Sequence, residues 1–198
     1  FLFPHGISET RSLHLEKENY LMKKRYSNNF NQIRSIASFG FCLPNKGFPE
    51  LIKAIAILRE RGLDIRLQIY SALYSQEFSW VYEDLVELVN ELDLQDFVQI
   101  DISYFDTQEV LDNLSNSDCL VFPYQYSNES SSASVRHGIA SNNNVFVTPS
   151  PIFDDVRPLV NYLPGFSSHE IALGLERWFQ STPDICEKLN ELKTQREF

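Results

Sequence analysis

From Ile33 onward, short apolar runs alternate with longer stretches in which apolar residues recur every three or four positions. Ile33-Arg34-Ser35-Ile36-Ala37-Ser38-Phe39 is a β-branched and aromatic run that stops at Gly40. Leu51, Ile55 and Leu58 then share one helical stripe, which Gly62 closes. The rhythm repeats. Ile65-Arg66-Leu67-Gln68-Ile69-Tyr70 reads as a second strand, and Val81, Leu85, Leu88, Val89 and Leu92 fall at helical spacing behind Ser79, a candidate cap. Phe97-Val98-Gln99-Ile100 reads as a third strand. Asp106, with Glu109 three residues on, predicts a capped helix through Val110, Leu111 and Leu114. Cys119-Leu120-Val121-Phe122, stopped by Pro123, is a fourth strand, residues 130–141 a helix, Val145-Phe146-Val147 a fifth strand and Leu159-Val160 a faint sixth. Helices over 168–179 and 184–196 finish the chain.

Strands and helices at this spacing predict βαβ units with right-handed crossovers. The expected fold is α/β: a Rossmann-like parallel sheet of about six strands with helices on both faces. Residues 33–198 are expected to form that domain. Residues 1–32 are polar and without a clean period, and read as a linker or a peripheral helix over 13–26. In such sheets ligands bind outside the carboxyl ends of the strands, which directs attention to the loops there.

Composition narrows the ligand. With 17 Lys and Arg against 27 Asp and Glu, the formal charge is −10. That argues against a surface built for a nucleic-acid backbone or an anionic membrane, so an anionic ligand has to be held locally. Three cysteines, Cys42, Cys119 and Cys186, are too few for a disulfide framework and point to a reducing, cytoplasmic setting. No run approaches the roughly 20 apolar residues of a membrane span. The chain does not begin with Met and stops inside a helical pattern, so a piece of a longer protein is expected.

Two loops carry candidate chemistry. Gly40-Phe41-Cys42-Leu43-Pro44-Asn45-Lys46-Gly47 sets a glycine after the first strand and a Lys-Gly pair at the mouth of a helix, offering N–H groups and a cation to an anion. It has neither the spacing of a P-loop nor that of a dinucleotide fingerprint. Lys46 is equally readable as a solvated residue at a helix start. The loop Pro123-Tyr124-Gln125-Tyr126-Ser127-Asn128-Glu129-Ser130-Ser131-Ser132-Ala133 leads a buried strand into a helix. Serine N–H groups at a helix N-terminus suit a diphosphate. Glu129 would repel it, so a functional Glu129 should bond hydroxyls, such as those of a sugar. The alternative is that Glu129 caps the helix and the serines form its turn.

His137 lies eight residues beyond Glu129, just over two turns into that helix, and could meet the same ligand or serve only in packing. Arg136 reads as a surface charge. The loops from Tyr70 to Tyr74 and from Ile102 to Asp106 add Ser71 and Tyr104 at the same sheet edge, where backbone and aromatic groups could hold a base or fill the core.

Taken together, Phe39-Gly40 through Lys46-Gly47, Leu51-Ile52-Lys53-Ala54, Asp118-Cys119-Leu120-Val121-Phe122-Pro123 and Glu129 resemble the C-terminal, nucleotide-sugar-binding domain of retaining GT-B glycosyltransferases with a Glu-x7-Glu signature. The resemblance spans about residues 33–160, and Pro4-His5-Gly6-Ile7 looks like the segment joining that family's two domains. It implies one half of a GT-B fold. Lys46 and the N–H groups of Ser131, Ser132 and Ala133 would hold the donor diphosphate, and Glu129 would face the donor sugar as the catalytic residue. Gly40, Ser71, Tyr104 and His137 would complete the donor site. His137 stands where the family has its second Glu, and Phe41 where it has a phosphate-binding Arg. Asn142-Asn143-Asn144 replaces a Gly-rich turn, and Asn tolerates a left-handed backbone.

The implied activity is hexosyl transfer from a UDP-, GDP- or ADP-sugar to a glycan or lipid-linked acceptor, as in bacterial polysaccharide synthesis. No metal or other cofactor is required on this reading, since fixed N–H groups and a cation meet the charge developing on the leaving diphosphate. No Asp-x-Asp metal motif is present, and Asp154-Asp155 reads as the cap of a short helix. The acceptor contacts belong to an N-terminal domain this chain lacks, so the fragment is expected to bind donor without turnover. A sugar-nucleotide epimerase of the same architecture is one rival. The other is a degenerate, non-catalytic domain, for which Phe41 and His137 speak.

Overall fold

A computed structural model describes residues 34–126, 131–141 and 143–181. The chain divides into two compact units: Ile33–Leu175, and Phe1–Gln32 together with Glu176–Phe198. Of the second unit only residues 176–181 are described. The expected helices over 13–26 and 184–196 lie outside the described residues, as do His5 and Glu129.

The larger unit holds one six-stranded sheet of β1 (Arg34–Phe39), β2 (Ile65–Tyr70), β3 (Val98–Asp101), β4 (Cys119–Phe122), β5 (Asn144–Val147) and β6 (Asn161–Tyr162). All pairings are parallel, in the order β3-β2-β1-β4-β5-β6. The crossovers are α1 (Phe48–Glu60), α2 (Ser79–Glu91), α3 (Thr107–Ser115) and α4 (Ala133–Ala140), and α5 (Ser168–Ser181) follows β6. The expected α/β architecture is the observed one.

Strand alternation divides the core between the two faces. Ala37, Leu120, Phe122, Val145 and Val147 form one cluster with Val110 and Leu114 of α3 and Val135 of α4. Ile36, Leu67 and Ile69 are buried on the strands' other side, as are Leu51, Ile55 and Leu58 of α1 and Val81 and Leu85 of α2. Central β1 is tied to β4 at its amino end by a polar knot. Ser35 donates its N–H and hydroxyl to the Asp118 carboxylate, at 2.7 and 2.9 Å, and the Asp118 N–H returns to the Ser35 carbonyl at 2.8 Å.

Several boundaries differ from expectation. The sixth strand is Asn161–Tyr162 rather than Leu159-Val160, because residues Pro151–Leu159 wind into 3₁₀ turns and leave Leu159 exposed. Within that stretch Asp154 pairs with Arg157 and Asp155 with Arg136, so the acidic pair lies inside the coil, whose cap position is Ser150. Ser79 is the first residue of α2 rather than its N-cap, Phe78 holding that position. Asp106 and Glu109 do form the reciprocal capping box, each backbone N–H donating to the other's carboxylate at 2.9 Å. Helix α4 begins at Ala133 with Ser132 as cap, three residues later than the pattern from residue 130.

Candidate functional site

Strand order reverses between β1 and β4, one connection leaving toward β2 and the other toward β5. At such a switch point the two loops part and leave a crevice above the carboxyl ends. Here the loops are those after Phe39 and after Phe122.

The first loop is shaped by its glycines and proline. Pro44–Lys46 form a 3₁₀ turn that ends on Gly47, whose φ of 71° lies in the left-handed region. A Cβ at Gly47 would stand 1.9 Å from the Pro123 carbonyl oxygen, so only glycine lets the two loops pass this closely. They are also bonded to each other, the Gln125 N–H donating to the Asn45 carbonyl at 3.0 Å. Lys46 is thereby folded inward and is 6% exposed.

What Lys46 meets is Tyr124. Its ammonium stands 4.0 Å from the centroid of that ring, a cation–π contact in a desolvated place. Tyr124 is buried against Phe153, and its carbonyl accepts from the Thr148 hydroxyl. The Tyr124 hydroxyl accepts from Ser132 Oγ at 3.2 Å, and Ser132 Oγ in turn accepts the Val135 N–H at 3.3 Å, capping α4. Gly40 closes the floor. A Cβ there would lie 3.1 Å from Ser134 Oγ and 3.6 Å from the Tyr124 hydroxyl. Gly40, Lys46, Tyr124, Ser132 and the first turn of α4 therefore converge. The amides of Ala133 and Ser134 have no acceptor within the helix, and the helix dipole adds partial positive charge beside the lysine.

His137 sits one turn into α4 rather than two, since the helix starts late. Its Nδ1 lies 3.0 Å from the Ala133 carbonyl, and its ring meets Phe39 edge-on at 5.5 Å, on the β1 side of the crevice. Arg136, expected to be a surface charge, donates to the Ser132 carbonyl at 2.8 Å and pairs with Asp155, bracing the same turn. Ser131 and Ala133 are exposed at the α4 mouth.

Two expected site residues stand apart from this cluster. Ser71 is fully buried, and its N–H is given to the Asp101 carbonyl at 2.7 Å. Its hydroxyl has no oxygen or nitrogen partner; it faces the Cys42 thiol, whose pKa burial raises and the Ser71 hydroxyl partly lowers. Tyr104 is 83% exposed beyond β3, two strands from the switch point. Neither Asn143 nor Asn144 adopts a left-handed backbone; the Asn143 amide donates to the Leu114 carbonyl at 2.6 Å, and Asn144 opens β5.

Tyr124, Gln125 and Asn45 went unread as site residues. The one signal was an aromatic directly after Pro123 at the end of a fully apolar strand. Beside the crevice a cleft of about 340 Å³ is lined by Gln125, Tyr126, Ser150, Pro151 and Phe166. A hollow of about 120 Å³, lined in part by Ser35, Arg66, Gln68, Asp96 and Gln99, sits at the amino ends of the strands, away from the crevice. No described helix is long and apolar enough to cross a membrane.

No protein-family model matches the chain, and neither does any curated protein. Solved structures do. A glycosyltransferase from Rickettsia africae superposes with a TM-score of 0.63 at 15% identity, over 84% of this chain and 42% of that one. Anabaena HepE, solved with UDP and glucose, gives 0.65 at 12% identity, over 86% of this chain and 44% of the other. The C-terminal domain of a glycosyl transferase group 1 family protein from Francisella tularensis gives 0.63 at 16% identity, covering 85% and 84%. The chain thus spans less than half of the first two proteins and most of the isolated C-terminal domain. These likenesses establish the fold as the Rossmann-like C-terminal half found in GT-B glycosyltransferases.

Proposed function

We propose that this chain is the donor-binding half of a retaining, metal-independent glycosyltransferase, and that its crevice takes the diphosphate of a nucleotide sugar. The observation that carries this reading is the buried Lys46 ammonium on Tyr124, whose hydroxyl meets the capping serine of α4. A fixed cation and a helix N-terminus in one crevice suit an anion that gains charge as its bond to the sugar breaks. Because Gly47 and the Gln125–Asn45 hydrogen bond hold the two loops together, these groups need little reorganisation when that charge appears. HepE, of the same fold, was solved with UDP and glucose, which supports a nucleotide sugar as the ligand.

On this reading Glu129, which precedes the described part of the α4 mouth, faces the donor sugar, and His137 bonds a hydroxyl of the nucleotide. Ser131, Ser132 and Ala133 supply N–H groups to the phosphates. The acceptor, a glycan or a lipid-linked sugar, is met by a preceding domain, and the work is cytoplasmic synthesis of a polysaccharide.

Calorimetry of the chain with UDP-, GDP- and ADP-sugars tests the reading. Saturable heat with at least one of them is expected. Silence with all three favours the degenerate domain, to which the exposed Phe41 and the imidazole of His137 in α4 lend weight. Product analysis of the longer protein with a labelled donor separates transfer from epimerisation.

A further inference from the structure

The loops after β4, β5 and β6 enclose the cleft of about 340 Å³ lined by Gln125, Tyr126, Ser150, Pro151 and Phe166. It lies beside the crevice and is distinct from it. The crevice opens over the seam between β1 and β4, whereas the cleft reaches across β5 to β6, about 5 Å further on for each strand. None of the five lining side chains is charged.

The floor of the cleft is polar and unfinished. Ser150 is 3% exposed and stands at the cap position of the 3₁₀ turns, yet its hydroxyl makes no capping hydrogen bond and has no partner among the described residues. So deep a hydroxyl is costly to leave unpaired, and the cleft it lines is where a partner can reach it. Beside it the Gln125 amide spends its nitrogen on the Pro123 and Phe166 carbonyls, at 2.9 and 3.3 Å. Those bonds fix the side chain and leave its oxygen as an acceptor.

The walls are apolar. Tyr126, 79% exposed, and Phe166, 38% exposed, present aromatic surface beside Pro151. Phe166 is held in place, since the next residue, Ser167, gives its N–H and hydroxyl to the Glu170 carboxylate at the start of α5. At roughly 30 Å³ per water the cleft has room for about eleven waters, the scale of a hexose.

Each feature narrows the ligand. An anion finds no cation among these side chains. An acyl chain would fill the space between the walls but press hydrocarbon onto the Ser150 hydroxyl and the Gln125 oxygen, and burying unpaired polar groups costs free energy. A sugar ring suits both surfaces, because its C–H face packs on aromatic rings while its hydroxyls donate and accept. We infer that this cleft binds a neutral sugar unit of a glycan, held at its hydroxyls by Ser150 and Gln125 and at its faces by Tyr126 and Phe166. Binding there does not depend on the donor-site reading proposed above; that reading gives the bound glycan its use, as a second grip on an acceptor chain.

The test is saturation-transfer NMR of the chain with the methyl glycosides of glucose, galactose, mannose and N-acetylglucosamine, with octyl glucoside, and with UDP, GDP and ADP. At least one methyl glycoside should bind with a millimolar Kd that added nucleotide leaves unchanged. Tyr126→Ala and Ser150→Ala should each weaken it roughly threefold to tenfold, with nucleotide binding and circular dichroism as in the parent. Tyr126 is largely exposed, so its variant keeps the fold even where a change at buried Ser150 is not tolerated. The inference is overturned if no methyl glycoside binds, if either folded variant binds it as the parent does, if nucleotide displaces it, or if only octyl glucoside binds, which would make the cleft an acyl seat. Sugar binding without nucleotide binding would overturn the donor reading and leave the cleft standing, and nucleotide binding without sugar binding would do the reverse.

Discussion

The Lys46 ammonium stands 4.0 Å from the centre of the Tyr124 ring, and the hydroxyl of that ring is hydrogen-bonded to the serine capping α4. The cation from one loop and the helix mouth from the other are thus joined through a single buried aromatic. Neither group can shift without disturbing the other.

Replacement Lys46→Ala is expected to weaken nucleoside diphosphate binding by about 1 to 3 kcal/mol, the range for a charged hydrogen bond. Isothermal titration of both proteins with the tightest-binding nucleotide measures it. Equal affinities would remove Lys46 from the site.

Gly47→Ala meets two obstacles at once: a left-handed backbone and a Cβ 1.9 Å from the Pro123 carbonyl oxygen. Backbone cannot yield as a flexible side chain does, so the two loops must separate. A loss of at least about 2 kcal/mol in urea unfolding is expected, together with weaker nucleotide binding. A variant with the parent's stability would show that the loops are not in close contact.

Acid should loosen the start of α5 through Glu170. Its carboxylate accepts from the Ser167 hydroxyl at 2.6 Å and from the Ser167 N–H at 3.1 Å, and these bonds hold its pKa below the ordinary glutamate value of 4.5. A folded-state pKa that is lowered gives stabilisation above the ordinary value, and it fades as pH falls through the lowered one. Between about pH 5 and about pH 3 the urea midpoint should therefore drop further in the unaltered chain than in Glu170→Gln. Parallel drops would show that this cap is not populated in solution.

Burial raises the thiol pKa of Cys42 and, further, that of Cys119, for which the nearby Asp118 carboxylate adds to the effect. Only a thiolate reacts rapidly with alkylating reagents. Both residues should stay unmodified by iodoacetamide at pH 8 in the folded chain and react in urea, as peptide mass mapping would record. Modification of Cys119 without denaturant would place β4 nearer the surface than described.

The alternating architecture was legible because the first five strands announce themselves locally. Ile65–Tyr70 alternates apolar with polar residues, Cys119–Phe122 is an apolar run closed by Pro123, and Asp106 with Glu109 marks a helix start by short-range chemistry alone. The sixth strand was misplaced because it is two residues long and at an edge. Its position follows from pairing with Phe146 and Val147 and not from the propensity of Leu159 and Val160. The convergence of Lys46 with Ser132 was legible as a possibility, from a lysine and a serine cluster on loops at the same sheet edge. The residue that joins them was not. Tyr124 is informative only once Gly47 is seen to bring the Pro123 loop within touching distance, and no periodicity encodes a contact between segments so far apart.

The knot between Ser35 and Asp118 spans 83 residues of chain. Strands β1, β2 and β3 can assemble through short crossovers while a polypeptide is still emerging from the ribosome, but the seam against β4 needs a much longer closure. The crevice lies over the same β1–β4 seam, so its completion requires that longer closure. On the donor-site reading proposed above, affinity for a nucleotide would serve as a certificate of maturity: half-built molecules with a respectable sheet should have no ligand-holding capacity to show for it.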